Sequence, residues 1–122
     1  MSKVTKIDRN GEGLRALEKC SVVPVEAILT GSAEEMGDVH FESADGSLII
    51  GTWQCTPYAE MLVYPNGTEY AHILSGKLAI TNPDGSVETF TAGDSYVLPA
   101  ATEVRFEVLE TMRKIYVLHT AK

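Results

Sequence analysis

From residue 39 onward the apolar positions of this 122-residue chain fall in short blocks separated by turn residues, and no block holds a helical period. The blocks at 39–42, 48–55, 60–64, 68–74, 77–81, 86–91, 95–98, 103–109 and 113–119 are rich in branched and aromatic side chains, as strands are. Between them stand Asp45-Gly46, Asn66-Gly67, Ser75-Gly76, Asp84-Gly85 and Gly93-Asp94, pairs that supply the positive-φ positions and side-chain caps of tight turns. About nine strands at short intervals, with hardly a helix, predict an all-β sandwich or small barrel. Val104, Phe106 and Val108 alternate with Arg105 and Glu107, so that strand has one face in the core and one in water. Closure into a barrel removes the edges on which other strands would add.

Before residue 39 the pattern is irregular. Leu14, Leu17 and Cys20 sit at helical spacing in a very short segment, and the apolar stretch 22–29 contains Pro24, which suits an edge strand or an extended arm. Ser32 ahead of Glu34 and Glu35 predicts one capped helical turn within 31–38. Residues 1–38 therefore read as an arm that lies over the main body or adds a strand to a partner, and residues 39–122 as the barrel.

Composition narrows the function class. The 17 acidic and 10 basic residues give a net charge of −7, and no basic tract or basic, aromatic-interleaved patch offsets it, so binding to nucleic acid or to an anionic membrane is not expected. No apolar run approaches the length of a membrane span, and the first residues are polar with both signs of charge, so a cytoplasmic location is expected. Cys20 and Cys55 lack the spacing of a zinc knuckle or redox pair and read as reduced thiols. Asn66-Gly67-Thr68 reads as a turn rather than a glycosylation acceptor.

The chemistry becomes more specific at Glu69. The run Glu69-Tyr70-Ala71-His72-Ile73-Leu74-Ser75-Gly76 resembles the second half of the first cupin motif, and Gly93-Asp94-Ser95-Tyr96-Val97-Leu98-Pro99 resembles the start of the second. In this reading Gly76 turns one hairpin, Gly93-Asp94 turns another, and Pro99 ends a strand. The flanking runs 51–57, 106–110 and 113–117 are similar to the short cupins of the ureidoglycine aminohydrolase-like and ethanolamine-utilisation group. The resemblance covers roughly residues 39–119 and implies a single-domain cupin jelly-roll barrel that pairs as a homodimer.

A metal-binding cupin carries two histidines four to seven residues before the motif glutamate, where this chain has Leu62, Val63, Tyr64 and Pro65. The histidine expected five residues after the second-motif proline is Val104. One carboxylate cannot hold a transition metal tightly, so neither a metal nor another cofactor is expected. A replacement site from His40, His119 and Cys55 has no support from spacing.

Glu69, which the resemblance points into the barrel, is the candidate general acid or base. Alternatively it is a buried carboxylate satisfied by Arg113, Lys114 or a tyrosine hydroxyl. His72, three positions on, points to the opposite face of a regular strand. Trp53, Cys55, Tyr64 and Phe106, with Tyr96 and Tyr116 nearby, either line a ligand pocket or simply form core. Cys55 has no base at nucleophile spacing. Arg113 offers a fork for a substrate carboxylate or balances Glu107 and Glu110 on the surface. The expected function is small-molecule binding in the barrel mouth. The alternatives are an accessory or regulatory interaction subunit, and an aminohydrolase-like enzyme acting on a small nitrogenous metabolite.

Overall fold

Two long strands organise the chain in the computed structural model, which describes residues 3–121. Strands β1 (Glu18–Cys20), β2 (Ile28–Gly31), β3 (Glu35–Glu42), β4 (Leu48–Cys55) and β5 (Tyr58–Leu62) come first. The long β6 (Gly67–Thr81), short β7 (Val87–Thr91) and β8 (Ser95–Leu98), and the long β9 (Val104–Thr120) follow. The one helical element among the described residues is a 3₁₀ turn at Val25–Ala27. No helix there is long and apolar enough to cross a membrane.

Strand β9 is the spine. Its C-terminal half pairs with β4, its N-terminal half with β5, and both halves with β6, every contact antiparallel. Beyond these, β3 and β1 extend the sheet past β4, β2 extends it past β5, and β7 and β8 lie along successive halves of β6. The sheet curls into a half-barrel of jelly-roll type.

Side-chain parity along the spine decides what faces inward. Val104, Phe106, Val108, Met112 and Lys114 are all buried, so the even positions point to the core on both sides of the exposed stretch at 109–111. In β6 the parity changes. Glu69, Ala71 and Ile73 are buried in its first half, whereas Leu78 and Ile80 are buried in its second. A bulge at 73–78 makes the change by inserting unpaired residues against β9.

Three expectations are corrected here. Ser75-Gly76 is not a hairpin turn but the centre of that bulge, where two predicted strands are one. Gly76 has φ +86°, and a Cβ on it would stand 2.2 Å from the Thr111 carbonyl oxygen, so the close passage of β6 over β9 requires glycine. Gly93-Asp94 is a corner rather than a hairpin, since β7 and β8 both pair with β6 and the Ile73 backbone bonds to Gly93 and Asp94. The predicted helical turn at 31–38 is instead the end of β2 and the start of β3, where Glu35 to Gly37 pair with β1 and β4. Asp45-Gly46 and Asp84-Gly85 do turn hairpins, between β3 and β4 and between β6 and β7.

Gly76→Ala should lower unfolding free energy by roughly 2–3 kcal/mol, from left-handed strain and the clash together. A urea melt checks this, and a midpoint equal to that of the parent protein would remove the close passage from the account.

Candidate functional site

The half-barrel carries a cavity of about 580 Å³. Its walls come from β3, β4 and β5, the long β6 and β9, and the segment 22–27. Glu69 and Lys114 are among its lining residues. Lys114 Nζ donates to Glu69 Oε2 at 2.7 Å and to the Tyr96 hydroxyl at 2.8 Å, and that hydroxyl donates to Glu69 Oε1 at 3.0 Å. Both carboxylate oxygens are therefore engaged, and the pair is 2% and 5% exposed. The ammonium also stands 5.1 Å from the ring centres of Trp53 and Phe106 and 5.5 Å from that of Tyr96. Such faces stabilise a desolvated cation through their quadrupoles. Burial and the nearby Glu69 charge push the Tyr96 hydroxyl well above its ordinary range, which keeps it a proton donor.

Glu60 is the second inward carboxylate, 4% exposed. Its Oε2 accepts a hydrogen bond from Tyr58, whose own titration is pushed far up by burial and by Glu60. Its Oε1 makes no hydrogen bond among the described residues. No fully enclosed side-chain oxygen or nitrogen there lacks a partner, so Oε1 reaches the open cavity. Burial holds the Glu60 carboxyl above the usual range, against the pull of the Tyr58 hydrogen bond and the Lys114 charge.

A group with a raised folded-state value stabilises the fold while protonated, and that contribution is lost as pH rises through the folded value. Glu60→Gln, which mimics the protonated form, should therefore melt higher than the parent protein at about pH 8, with the gap narrowing toward about pH 5. Scanning calorimetry at both pH values reads the difference; a gap that widens toward acid would contradict the assignment.

The segment 22–27 is tied down by a third buried carboxylate. Glu35 accepts the backbone N–H of Val22 at 2.9 Å, that of Val23 at 3.3 Å and the indole N–H of Trp53 at 2.9 Å. One side chain thus fixes both the backbone at Val22 and Val23, which lines the cavity, and the orientation of the Trp53 wall. Glu35→Ala should cost about 2 kcal/mol, by leaving buried donors unpaired. Limited proteolysis should then cut within 21–27 faster than in the parent protein, and equal cleavage rates would show that this segment is held otherwise.

The predicted site residues separate into two groups. Trp53, Tyr64, Glu69 and Phe106 line one cavity. Cys55 is fully buried in the core on the same face of β4 but does not reach the cavity, and burial together with Glu35 pushes its thiol up to about 12. Arg113 occupies an odd position on β9 and points outward, where it donates to Gln54 Oε1 and to the Asn10 carbonyl. The cation at the site is Lys114, one residue on. Sequence reasoning passed over Tyr58 and Glu60 altogether.

His72 lies on the outer face beside Ser95, at 2.8 Å, as alternation from Glu69 predicts. His40 bonds Thr52 and His119 is exposed. Cys20 and Cys55 are free. Among the described residues no three His, Cys, Asp or Glu side chains converge as a metal ion would need.

Residues 42–116 match the EutQ-like cupin domain. The chain belongs to that family. A solved protein of unknown function from Pseudomonas syringae pv. tomato aligns over 92% of this chain and 46% of its own, with 21% identity and a TM-score of 0.80. The Clostridium difficile EutQ protein aligns over 75% of this chain and 66% of its own, with 22% identity and a TM-score of 0.63. This cupin therefore spans about half the length of the first of these and two thirds of the second. No curated protein matches its sequence.

The metal that a cupin motif implies does not fit these residues. Leu62 and Tyr64 are apolar or aromatic wall where the first-motif histidines would stand, and Val104 is buried core where the second-motif histidine would stand. The one retained ligand position, Glu69, has both oxygens committed to Lys114 and Tyr96. An ammonium on β9 neutralises that carboxylate.

Proposed function

We propose that this cupin binds a small, partly apolar organic molecule in its cavity, with the Lys114 ammonium rather than a metal ion at Glu69. The observation that carries this reading is the cavity itself, about 580 Å³, with aromatic walls and a few converging polar groups. That is the usual make-up of a small-molecule site. The polar groups are fixed by hydrogen bonds within the protein, so a ligand meets them already oriented. The reading assigns binding and no bond-breaking step.

A thermal-shift screen against a panel of small metabolites tests it. A ligand present at about a hundred times its Kd adds roughly 2.7 kcal/mol to the folded state, a readily visible shift. The parent protein should respond to at least one compound. A parent protein that responds to nothing would defeat the reading.

A further inference from the structure

The buried charged side chains among the described residues are Glu35, Glu60, Glu69 and Lys114, three acids and one base. Lys114 is consumed by Glu69 at 2.7 Å. Glu35 is satisfied by neutral N–H donors. Glu60 has only the Tyr58 hydroxyl on one oxygen, and its other oxygen is open to the cavity. As a carboxylate it has no counter-charge of its own, an expensive state for a buried group.

We infer that the cavity selects a compact organic cation, a primary or alkylated ammonium, and that the Glu60 carboxylate is the counter-charge that receives it. This rests on the binding reading above and names its ligand class. The walls agree with the charge. Tyr58 and Tyr64 line the cavity within reach of Glu60, Tyr116 lines it as well, and no protein cation stands over their rings among the described residues. Aromatic faces with a nearby carboxylate suit an organic cation, and Lys114 over Trp53 and Phe106 is an internal example in the same space. An anionic ligand would meet the opposite field: Glu69 and Glu35 lie within electrostatic reach of Glu60, and Glu26 lines the cavity. Its one attraction, Lys114, is already shared between Glu69 and Tyr96.

The groups around Glu60 set the direction of the pH dependence. Tyr58 on its own strand, Lys114 from β9, Glu69 from β6 and Glu35 from β3 all act on it. Burial and the two other glutamates favour its protonated form, and a cation in the cavity would reverse that balance and drive the proton off. Affinity should rise with pH as Glu60 ionises and fall only where the ligand amine loses its own proton.

Three probes of one shape and different charge decide the matter: benzylammonium, benzyl alcohol and benzoate, titrated calorimetrically into the full chain. At about pH 8, benzylammonium should bind about tenfold or more tightly than benzyl alcohol, and benzoate weakest. In Glu60→Gln that preference should fall to about twofold or less, while Tyr58→Phe, which keeps the carboxylate, should retain it. Tighter binding of the alcohol or of benzoate, or a preference that survives Glu60→Gln, would overturn the cation inference and leave small-molecule binding standing. Silence from all three probes in the parent protein would likewise overturn the cation inference, and the metabolite panel alone then decides the binding reading.

Discussion

Lys114→Met should destabilise the protein by roughly 3–5 kcal/mol, the range seen when one partner of a buried ion pair is removed and the other is left charged. Methionine fills similar volume, so the loss reports charge rather than a void. Glu69, 2% exposed, would keep only the Tyr96 hydroxyl. Adding Glu69→Gln should restore most of the loss, because both members of the pair are then neutral. Chemical denaturation of the two singles and the double gives the coupling energy directly. A Lys114→Met protein within about 1 kcal/mol of the parent would mean that the pair is not buried as described.

Phe106→Ala is expected to have an effect of similar size for a different reason, roughly 3–5 kcal/mol from lost burial and the space left behind. Phe106 is 2% exposed and lies opposite Glu60 across the β5–β9 ladder. Its ring centre is 6.1 Å from that of Trp53 and 6.3 Å from that of Tyr58, and Lys114 Nζ stands 5.1 Å from it. Removing it should therefore damage fold and site together. Phe106→Leu should recover most of the stability but not the ring contact to Lys114. Urea midpoints of the two variants, read beside probe binding, separate the contributions. Equal stability of the alanine variant and the parent would show that the core does not centre on this ring.

These expectations depend on Lys114 facing inward; the sequence offers it, with Arg113 and a tyrosine hydroxyl, as a partner for a buried Glu69 without choosing among them. Alternation of Val104, Phe106 and Val108 sets an even parity, and carrying it forward through a single strand reaches Met112 and Lys114 and sends Arg113 outward. The polar run Glu110-Thr111 suggested two strands where one continuous strand turns a corner. At Ser75-Gly76 the fault was similar: a left-handed glycine is common to hairpins and bulges, and only the pairing partner tells them apart. The all-β class, most strand positions and the inward direction of Glu69 follow from local pattern and motif. Glu60 does not, because a glutamate in a strand beginning Tyr58-Ala59 carries no local mark of its burial. Its role comes from Glu69 and Lys114, which arrive from strands distant in sequence. The hold of Glu35 on Val22 and Val23 is likewise a long-range feature, and the segment that looked like a capped turn proved to be strand because β4 offers it a ladder.

Whether a lysine ammonium, and not a metal ion, neutralises the motif glutamate is read from the metal content of untagged protein purified without chelator and measured by inductively coupled plasma mass spectrometry. Less than about a tenth of an equivalent of any transition metal is expected, since one committed carboxylate is far short of a stable donor set. About one equivalent of nickel, manganese, iron or zinc, retained through buffer exchange, would contradict it.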